Sequence, residues 1–317
     1  MRDRPAGVTD TDLVSGLAAG WGLAVRTVDY LPVGAGSYHW SAVTTDDRRW
    51  FVTVDDVAGG AALDAALATA LRLRAEAGLD FVVAPVATVT GGPTWRLTPR
   101  HALSVYPHVD GTTGDFGPHP PADRARVVDL LAALHLATPV VAATAPRADP
   151  RLAGRDGLDR ALADLDRRWP GGPYAEPARD LLARHADRVA GWLADFDGLV
   201  AEIQATSASW VVTHGEPHPG NVLQSAEGPR LLDWETVRLA PSERDLWLLD
   251  PDPALLTRYT EATGIAVSPA VMAFYRLRWR LDDIAIFVDD LRRPHGATDD
   301  PAAALRYLTG YLTWQGD

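Results

Sequence analysis

A short island of strand-like sequence between residues 210 and 235 constrains this chain more than any other feature. Residues 210–213 are apolar, residues 214–221 read HGEPHPGN, and residues 231–235 read LLDWE after a Gly228-Pro229 turn. Glycine and proline restrict the backbone of the polar loop, so Glu216, His218 and Asn221 are expected to project from an extended support rather than from a helix. The island predicts a hairpin whose ends gather polar side chains.

The remainder of the chain divides near residue 106. Alternating and β-branched runs predict strands over 25–33, 38–44, 50–54, 81–89 and 95–105, and an Ala/Leu-rich stretch after Gly59-Gly60 predicts a helix over 61–77. Beyond the aperiodic stretch to Pro121, helical spacing dominates, over 123–137, 156–169, 178–207, 242–249, 253–263, 269–291 and 301–314. We therefore expect an α+β fold with a small β-rich N-lobe (1–106), built of five antiparallel strands and one helix, and a large, mainly helical C-lobe (107–317).

Composition excludes several chemistries. The 317 residues contain no cysteine, and all 30 basic residues are arginine. Disulfides, thiolate metal sites, Schiff-base lysines and Walker A lysines are therefore excluded. A net charge of −12 argues against nucleic-acid binding. We also expect no membrane partner and a cytoplasmic location, because no apolar run is long enough to span a bilayer and the start lacks a signal-peptide core.

The polar loop suits phosphoryl transfer. That reaction needs a carboxylate near the attacking hydroxyl and oxygen ligands for Mg²⁺. Glu216 is the candidate for the first task, whereas Asn221 and Asp233 supply the oxygen donors. His214 and His218 are four residues apart, but Gly215 and Pro217 prevent the helix that would align them for zinc, so structural roles are favoured.

At this point the chain resembles the aminoglycoside phosphotransferase and choline kinase-like family, the small-molecule branch of the protein-kinase-like fold. HGEPHPGNVL at 214–223 is similar to the family's HGDxHPGNxL, and LLDWE at 231–235 is similar to its DWE motif. The resemblance extends over most of the chain, including LHLAT at 134–138 and RDLW at 244–247. It implies a two-lobed kinase-like enzyme that uses Mg²⁺ and ATP or GTP.

The resemblance also assigns roles by position. It implies that Glu216 occupies the place of the catalytic aspartate and that Asn221 and Asp233 hold magnesium, with His214 and Asp245 as structural support. The nucleotide would contact the 34–37 loop, the third strand and the hinge that follows the small lobe. Those nucleotide-binding positions are Gly34, Gly36, Ser37, Thr53, Tyr106 and His108. Late helices line the family's acceptor pocket, which makes Trp279, Asp282 and Asp283 candidate substrate contacts. His218, in the polar loop, is a further candidate.

Two positions depart from the family pattern. Thr53 stands where the third-strand lysine is expected, and its hydroxyl cannot replace a charge that holds phosphates. His39, Arg72, Arg74 or a second metal ion are the candidate replacements. Glu216 is one methylene longer than aspartate and reaches about 1.5 Å further. Because the transition state of phosphoryl transfer is loose, Glu216 can still position the acceptor hydroxyl.

The function predicted from these features is transfer of a γ-phosphoryl group to a hydroxyl of a small molecule. An antibiotic is the expected acceptor, of the aminoglycoside, macrolide or nucleoside (capuramycin) type, so that transfer would give resistance by inactivation. Two alternatives remain open. One is a metabolic kinase acting on choline, homoserine or a sugar, and the other is a pseudokinase that binds nucleotide or ligand without transfer. Thr53 and the absence of lysine favour the pseudokinase, whereas Glu216, Asn221 and Asp233 favour an enzyme.

Overall fold

An antiparallel sheet forms the N-terminal part of the protein. The computed structural model describes residues 1–34, 36–57, 62–205 and 210–314. The five strands are β1 (Val25–Leu31), β2 (Tyr38–Thr44), β3 (Arg49–Asp56), β4 (Trp95–Arg96) and β5 (His101–Pro107), in the spatial order β1-β2-β3-β5-β4. Two helices accompany the sheet, α1 (Asp10–Trp21) and α2 (Ala62–Ala75).

Side-chain alternation gives the sheet two different faces. Trp40, Val52 and Leu103 lie on one face and are buried with Leu13 and Leu17 of α1 in a hydrophobic core. The opposite face is polar. The register pairs His39 with Thr53 and Thr53 with Ser104, and Asp55 follows two residues after Thr53 on the same face. The sheet thus separates an apolar core from a polar surface.

Three expectations for this region were wrong in detail: the strand over 81–89, the single strand over 95–105, and the presence of one helix only. Residues 81–89 form no strand, because their backbone hydrogen bonds go to different partners: Val83 N donates to Leu231 O, and Val86 N donates to Val105 O. The predicted strand over 95–105 is instead a hairpin, β4 and β5. Helix α1 was not predicted, although Thr9 and Asp12 form a capping box at its start. Gly59-Gly60 lies outside the described residues.

The rest of the chain is mainly helical, with two small two-stranded sheets. The helices are α3 (Pro121–Leu136), α4 (Thr138–Val141), α5 (Arg155–Ala163), α6 (Ala175–Arg184), α7 (Ala186–Ala205), α8 (Glu243–Leu246), α9 (Pro253–Thr263), α10 (Pro269–Arg292) and α11 (Asp299–Thr313). The strands are β6 (Val211–Thr213), β7 (Val222–Ser225), β8 (Gly228–Leu231) and β9 (Arg238–Ala240), of which β6 pairs with β9 and β7 with β8. The helix predicted over 178–207 is two helices, which meet at His185.

The chain forms two compact units. The first comprises Met1–Ala148 and Ser209–Val267, and the second comprises Asp149–Ala208 and Ser268–Asp317. The first unit therefore contains the five-stranded sheet together with β6–β9, α3, α8 and α9. The core of the second includes stacked rings of Phe196 and Phe274, whose centroids lie 5.1 Å apart. In the described part of the chain, none of the helices is long and apolar enough to cross a membrane.

Candidate active site

Two loops of the first unit carry the polar residues singled out in the sequence. The 214–221 loop follows β6 and ends in a short 3-10 turn, Pro219–Asn221, that leads into β7. The 232–236 loop follows β8. Because β7 and β8 pair as an antiparallel hairpin, with Val222 opposite Leu231, the end of the first loop and the start of the second lie side by side.

His214 joins the two loops. Its Nε2–H donates to the backbone oxygen of Leu232 over 2.6 Å, and its Nδ1 accepts from the backbone N–H of Glu216 over 3.2 Å. Burial lowers the pKa of His214 to about 4, so the ring is neutral near pH 7. A neutral ring has one donor and one acceptor nitrogen, which matches these two hydrogen bonds.

Asn221 and Asp233 present oxygen atoms from the two loops. The Asn221 amide nitrogen donates to the backbone oxygen of Glu216 over 3.0 Å, which leaves its Oδ1 as the acceptor. The backbone N–H of Leu232 donates to Asn221 O over 2.9 Å, so Asn221 is also tied to the second loop. Asp233 has a φ of +61°, a left-handed conformation that non-glycine residues rarely adopt. Such strain is typical of functional sites.

A cluster of buried carboxyl groups lies beside Asp233. Burial raises the pKa of Asp233 to about 7, and the charge of Glu235 adds to this effect. Burial likewise raises the pKa of Glu235 to about 7 and that of Asp55 to about 6. The Ser37 hydroxyl donates to Asp55 and lies 3.3 Å from Oε2 of Glu235. Ser37 therefore connects the loop before β2 to both β3 and the 232–236 loop.

Asp245 fixes the start of the 214–221 loop by accepting two backbone hydrogen bonds. Its Oδ2 accepts from the backbone N–H of His214 over 2.9 Å, and its Oδ1 accepts from that of Gly215 over 2.6 Å. His135 Nε2 lies 3.0 Å from the same Oδ2. Burial alone would raise the pKa of Asp245, but the hydrogen bond and charge of His135, together with Arg244, hold it below its ordinary value. The carboxylate stays ionised and fixes the start of the loop.

These residues can hold a hard cation. The donor set, an amide oxygen and a carboxylate, is one that Mg²⁺ accepts when phosphate oxygens and water complete its shell. The raised pKa of Asp233 reflects a buried carboxyl group without a compensating charge, and a divalent cation would supply that charge. The site therefore fits magnesium.

Comparison with known proteins identifies the family. Residues 30–281 match the phosphotransferase enzyme family, APH. The chain belongs to this family. Protein StrN of Streptomyces griseus is 32% identical over 254 residues, which cover 76% of this chain and 74% of StrN. The enzyme is thus a small-molecule O-phosphotransferase.

Solved structures of phosphotransferases share its fold. The spectinomycin phosphotransferase APH(9)-Ia, in complex with ADP and spectinomycin, superposes with a TM-score of 0.77 at 17% identity, covering 95% of this chain and 94% of that one. A microcompartment-associated aminopropanol kinase gives a TM-score of 0.62 at 13% identity, covering 96% and 95%. The α+β, protein-kinase-like fold predicted from the sequence is confirmed.

The three side chains considered as replacements for the third-strand lysine have other partners or carry no charge. Arg72 pairs with Glu76 at 2.8 Å and contacts Thr144, and Arg74 pairs with Asp80. His39 lies on the same sheet face as Thr53, with its Nδ1 3.4 Å from the Thr53 hydroxyl, but burial lowers its pKa to about 4 and the ring is neutral.

The other nucleotide-binding predictions lie around the same face. Gly34 and Gly36 have φ angles of +70° and +89°, which glycine adopts readily, and Ala35 between them lies outside the described residues. Tyr106 lies on β5, and burial together with Asp55 raises its pKa well above the ordinary value. His108 follows it, with Nδ1 3.7 Å from Asp110 Oδ1.

The predicted acceptor contacts fall into two groups. His218 lies in the 214–221 loop, where burial lowers its pKa to about 4. Trp279, Asp282 and Asp283 lie on α10 in the second unit. There Trp279 donates to the Tyr311 hydroxyl over 2.9 Å, Asp282 pairs with Arg278 at 3.1 Å, and burial raises the pKa of Asp283 to about 6.

Sequence reasoning missed Asp55 and Glu235 as site residues. Both line a cavity of about 340 Å³ together with Gly36, Ser37 and Leu63. A local signal existed for each residue. Glu235 closes the LLDWE motif, and Asp55 lies two residues after Thr53, so strand alternation places it on the same face.

Proposed function

We propose that this phosphotransferase moves the γ-phosphoryl group of a magnesium-bound nucleoside triphosphate, ATP or GTP, to a hydroxyl of a small antibiotic. The observation that carries the proposal is the pairing of the two loops. One hydrogen-bond network, through His214 and Asn221, links the backbone of Glu216 to that of Leu232, the residue before Asp233. A hydroxyl-positioning carboxylate and two metal ligands are therefore held in one rigid unit.

The reaction assigns a task to each group. Glu216 accepts the hydrogen bond of the acceptor hydroxyl and takes its proton as that oxygen bonds to the γ-phosphorus. The bond from the γ-phosphorus to the bridging oxygen breaks, and the nucleoside diphosphate leaves. Asn221 and Asp233 would hold Mg²⁺, which when bound neutralises charge on the phosphate oxygens. Ser37 and the glycines before β2 would cover the phosphates.

The missing lysine bears on how the phosphates are held. Arg72 and Arg74 are engaged at other places, and His39 is neutral. We infer that metal ions supply the positive charge, with Asp55 and Glu235 as further carboxylates beside Asp233. Their mutual repulsion, without a cation, accounts for part of their raised pKa values.

An antibiotic acceptor of the aminoglycoside or aminocyclitol type is favoured. The chain carries a net charge of −12, and acidic groups cluster at the site, which suits a cationic acceptor. The solved structure of APH(9)-Ia, with which the chain shares its fold, holds the antibiotic spectinomycin. Choline, homoserine and sugars are the metabolic acceptors against which this proposal is to be tested.

The test starts with the nucleotide. Thermal stabilisation by Mg²⁺ with ATP or GTP is compared between the native protein and Asp233→Asn. A ligand at 100 times its dissociation constant adds about 2.7 kcal/mol to the free energy of unfolding. We expect a metal-dependent shift that Asp233→Asn loses and that the matched variant Asp195→Asn, at an exposed position of α7, retains.

Phosphoryl transfer is then measured by mass spectrometry against aminoglycosides, spectinomycin, macrolides, nucleoside antibiotics, choline and homoserine. Transfer to an antibiotic supports the proposal, whereas transfer to choline or homoserine alone overturns the acceptor class. The second candidate, a pseudokinase, is favoured by Thr53 in the lysine position. A nucleotide shift with no transfer to any acceptor, and none to water, would support it.

A further inference from the structure

The stretch from Gly111 to His119, here called the covering loop, lies against the 214–221 loop. Thr112 exchanges backbone hydrogen bonds with Gln224 of β7, over 3.1 and 2.8 Å. The backbone N–H of Gly114 donates to Pro219 O over 3.0 Å. The buried His119 donates from Nε2 to Pro217 O over 2.7 Å. Two of the loop's contacts therefore hold the segment that directly follows Glu216.

Two glycines permit this close approach. A Cβ atom at Gly111 would lie 2.5 Å from the backbone oxygen of Gln224, and one at Gly114 would lie 2.8 Å from Cβ of Pro219. Any other residue at these positions would push the covering loop away. The sequence is therefore adapted to keep the two loops in contact.

The covering loop carries a large apolar side chain, Phe116, that is partly exposed to solvent. Phe116 is 56% exposed, although its ring packs edge-on against His218, with centroids 5.0 Å apart and planes at 72°. The His218 ring also lies close to Gly220, where a Cβ atom would come within 3.0 Å of its Cε1 and Nδ1. The exposed part of the phenyl ring is apolar surface on which a bound molecule could pack.

The position of Phe116 relates it to the reacting group. It contacts His218, which is two residues from Glu216, and two residues of extended chain span at most about 7 Å. A molecule whose hydroxyl lies at Glu216 is therefore close enough for one of its rings to cover Phe116. The apolar face of such a ring packs well on a phenyl group.

We propose that Phe116 is an acceptor-contacting residue that selects cyclic acceptors by stacking on the face of one ring. The inference rests on the proposed function, because it takes Glu216 as the group that meets the acceptor hydroxyl. It narrows the acceptor class to ring compounds and disfavours acyclic amino alcohols.

The experiment measures binding rather than turnover. Isothermal titration of the full chain with spectinomycin, erythromycin and uridine, as cyclic probes, is compared with choline and homoserine. We expect at least one cyclic probe to bind, with a Kd that rises about tenfold or more in Phe116→Ala, the effect of losing one stacked ring. Phe116→Tyr keeps the ring and should restore the affinity. Leu136→Ala, which removes an exposed apolar side chain of α3, is the matched control and should leave the Kd unchanged.

Three results would overturn the inference. The first is an equal Kd for the cyclic probe in Phe116→Ala and the native protein, and the second is binding of acyclic probes only or of no probe. The third is a loss of affinity in Phe116→Tyr equal to that in Phe116→Ala. Failure of the proposed function gives a different pattern: a cyclic probe would bind in a Phe116-dependent way without any Mg²⁺-nucleotide shift or phosphoryl transfer.

Discussion

At the residue scale, the proposed site depends on a few side chains that set its reach and its charge. By resemblance to the family motifs, Glu216 stands in the place of an aspartate and Thr53 in that of a lysine, and Asp55 places a carboxyl group on the same sheet face as Thr53. The first change alters reach, whereas the other two make the site more acidic. Each has a consequence that a single substitution can measure.

The length and charge of Glu216 are expected to matter separately. Glu216→Gln removes the proton acceptor and should lower kcat by about 10² to 10⁴. Glu216→Asp keeps the charge but moves it by about 1.5 Å, and should cost about a hundredfold unless the loop adjusts. Steady-state kinetics with the acceptor found in the panel give both values. Glu227→Gln, at an exposed turn, is the control, and an unchanged kcat in Glu216→Gln would exclude the assigned role.

The carboxyl cluster predicts a pH-dependent stability. Because burial raises the pKa of Asp55 from 3.8 to about 6, the folded state binds more protons than the unfolded state between these values. The free energy of unfolding of the metal-free protein should therefore fall as pH rises through this range, by about 1.4 kcal/mol for each unit of pKa difference at most. Thermal unfolding from pH 4 to 8 measures the slope.

Asp55→Asn removes this titrating group, so its unfolding temperature should fall less steeply with pH than that of the native protein. Asp195→Asn makes the same chemical change at an exposed position and should follow the native slope. Identical slopes in all three proteins would show that Asp55 is not protonated preferentially in the folded state.

At the element scale, the 214–221 loop depends on backbone conformation and on its neighbours. Gly215 has a φ of +102°, and a Cβ there would lie 2.3 Å from Nη2 of Arg244. Arg244 in turn donates to the Thr213 hydroxyl over 2.9 Å and to Thr236 O over 2.8 Å. The guanidinium therefore fills the space beside the glycine and links both loops.

Replacing two glycines by alanine should have opposite effects. Gly215→Ala is expected to cost about 1 to 3 kcal/mol, because the conformation is strained and Arg244 must move. Gly191→Ala, inside α7 with open space around it, should add about 0.5 to 1 kcal/mol. Urea unfolding gives both values. A Gly215→Ala protein as stable as the native chain would contradict the packing described for Arg244.

At the scale of the whole molecule, the residues proposed to bind nucleotide and to carry out phosphoryl transfer belong to one of the two compact units. The strands β1–β3, the 214–221 loop and the 232–236 loop lie in the first unit, whereas α10 and its candidate acceptor contacts lie in the second. A nucleotide should therefore stabilise the units unequally.

Hydrogen exchange measured with and without Mg²⁺ and ATP tests this expectation. We expect slower amide exchange in β2, β3 and the 214–221 loop, because binding to the folded state suppresses local opening. Helix α6 of the second unit is the internal reference and should change little. Equal protection of α6 and the 214–221 loop would contradict a nucleotide site confined to the first unit.

The sequence predicted much of this molecule because its signals are local. The hairpin, with Glu216, Asn221 and Asp233 placed around it, follows from short motifs and from strands that pair across a tight turn. Strands β1–β3 follow from alternation. The prediction over 81–89 failed because β-branched composition does not show whether neighbouring strands are available to pair, and here the backbone groups bond to several separate segments, among them Leu231, Val105 and Gly20.

By itself the sequence determined the family, the order of the two loops, the acidic and lysine-free composition, and which residues are proposed to meet a hydroxyl and a metal. Only the tertiary structure decided which distant groups join them. The contact of Ser37 with Asp55 and Glu235 spans up to 198 residues, and that of Phe116 with His218 spans a hundred or so. Such contacts depend on how strands and loops pack, and packing is a property of the whole fold that no local pattern records.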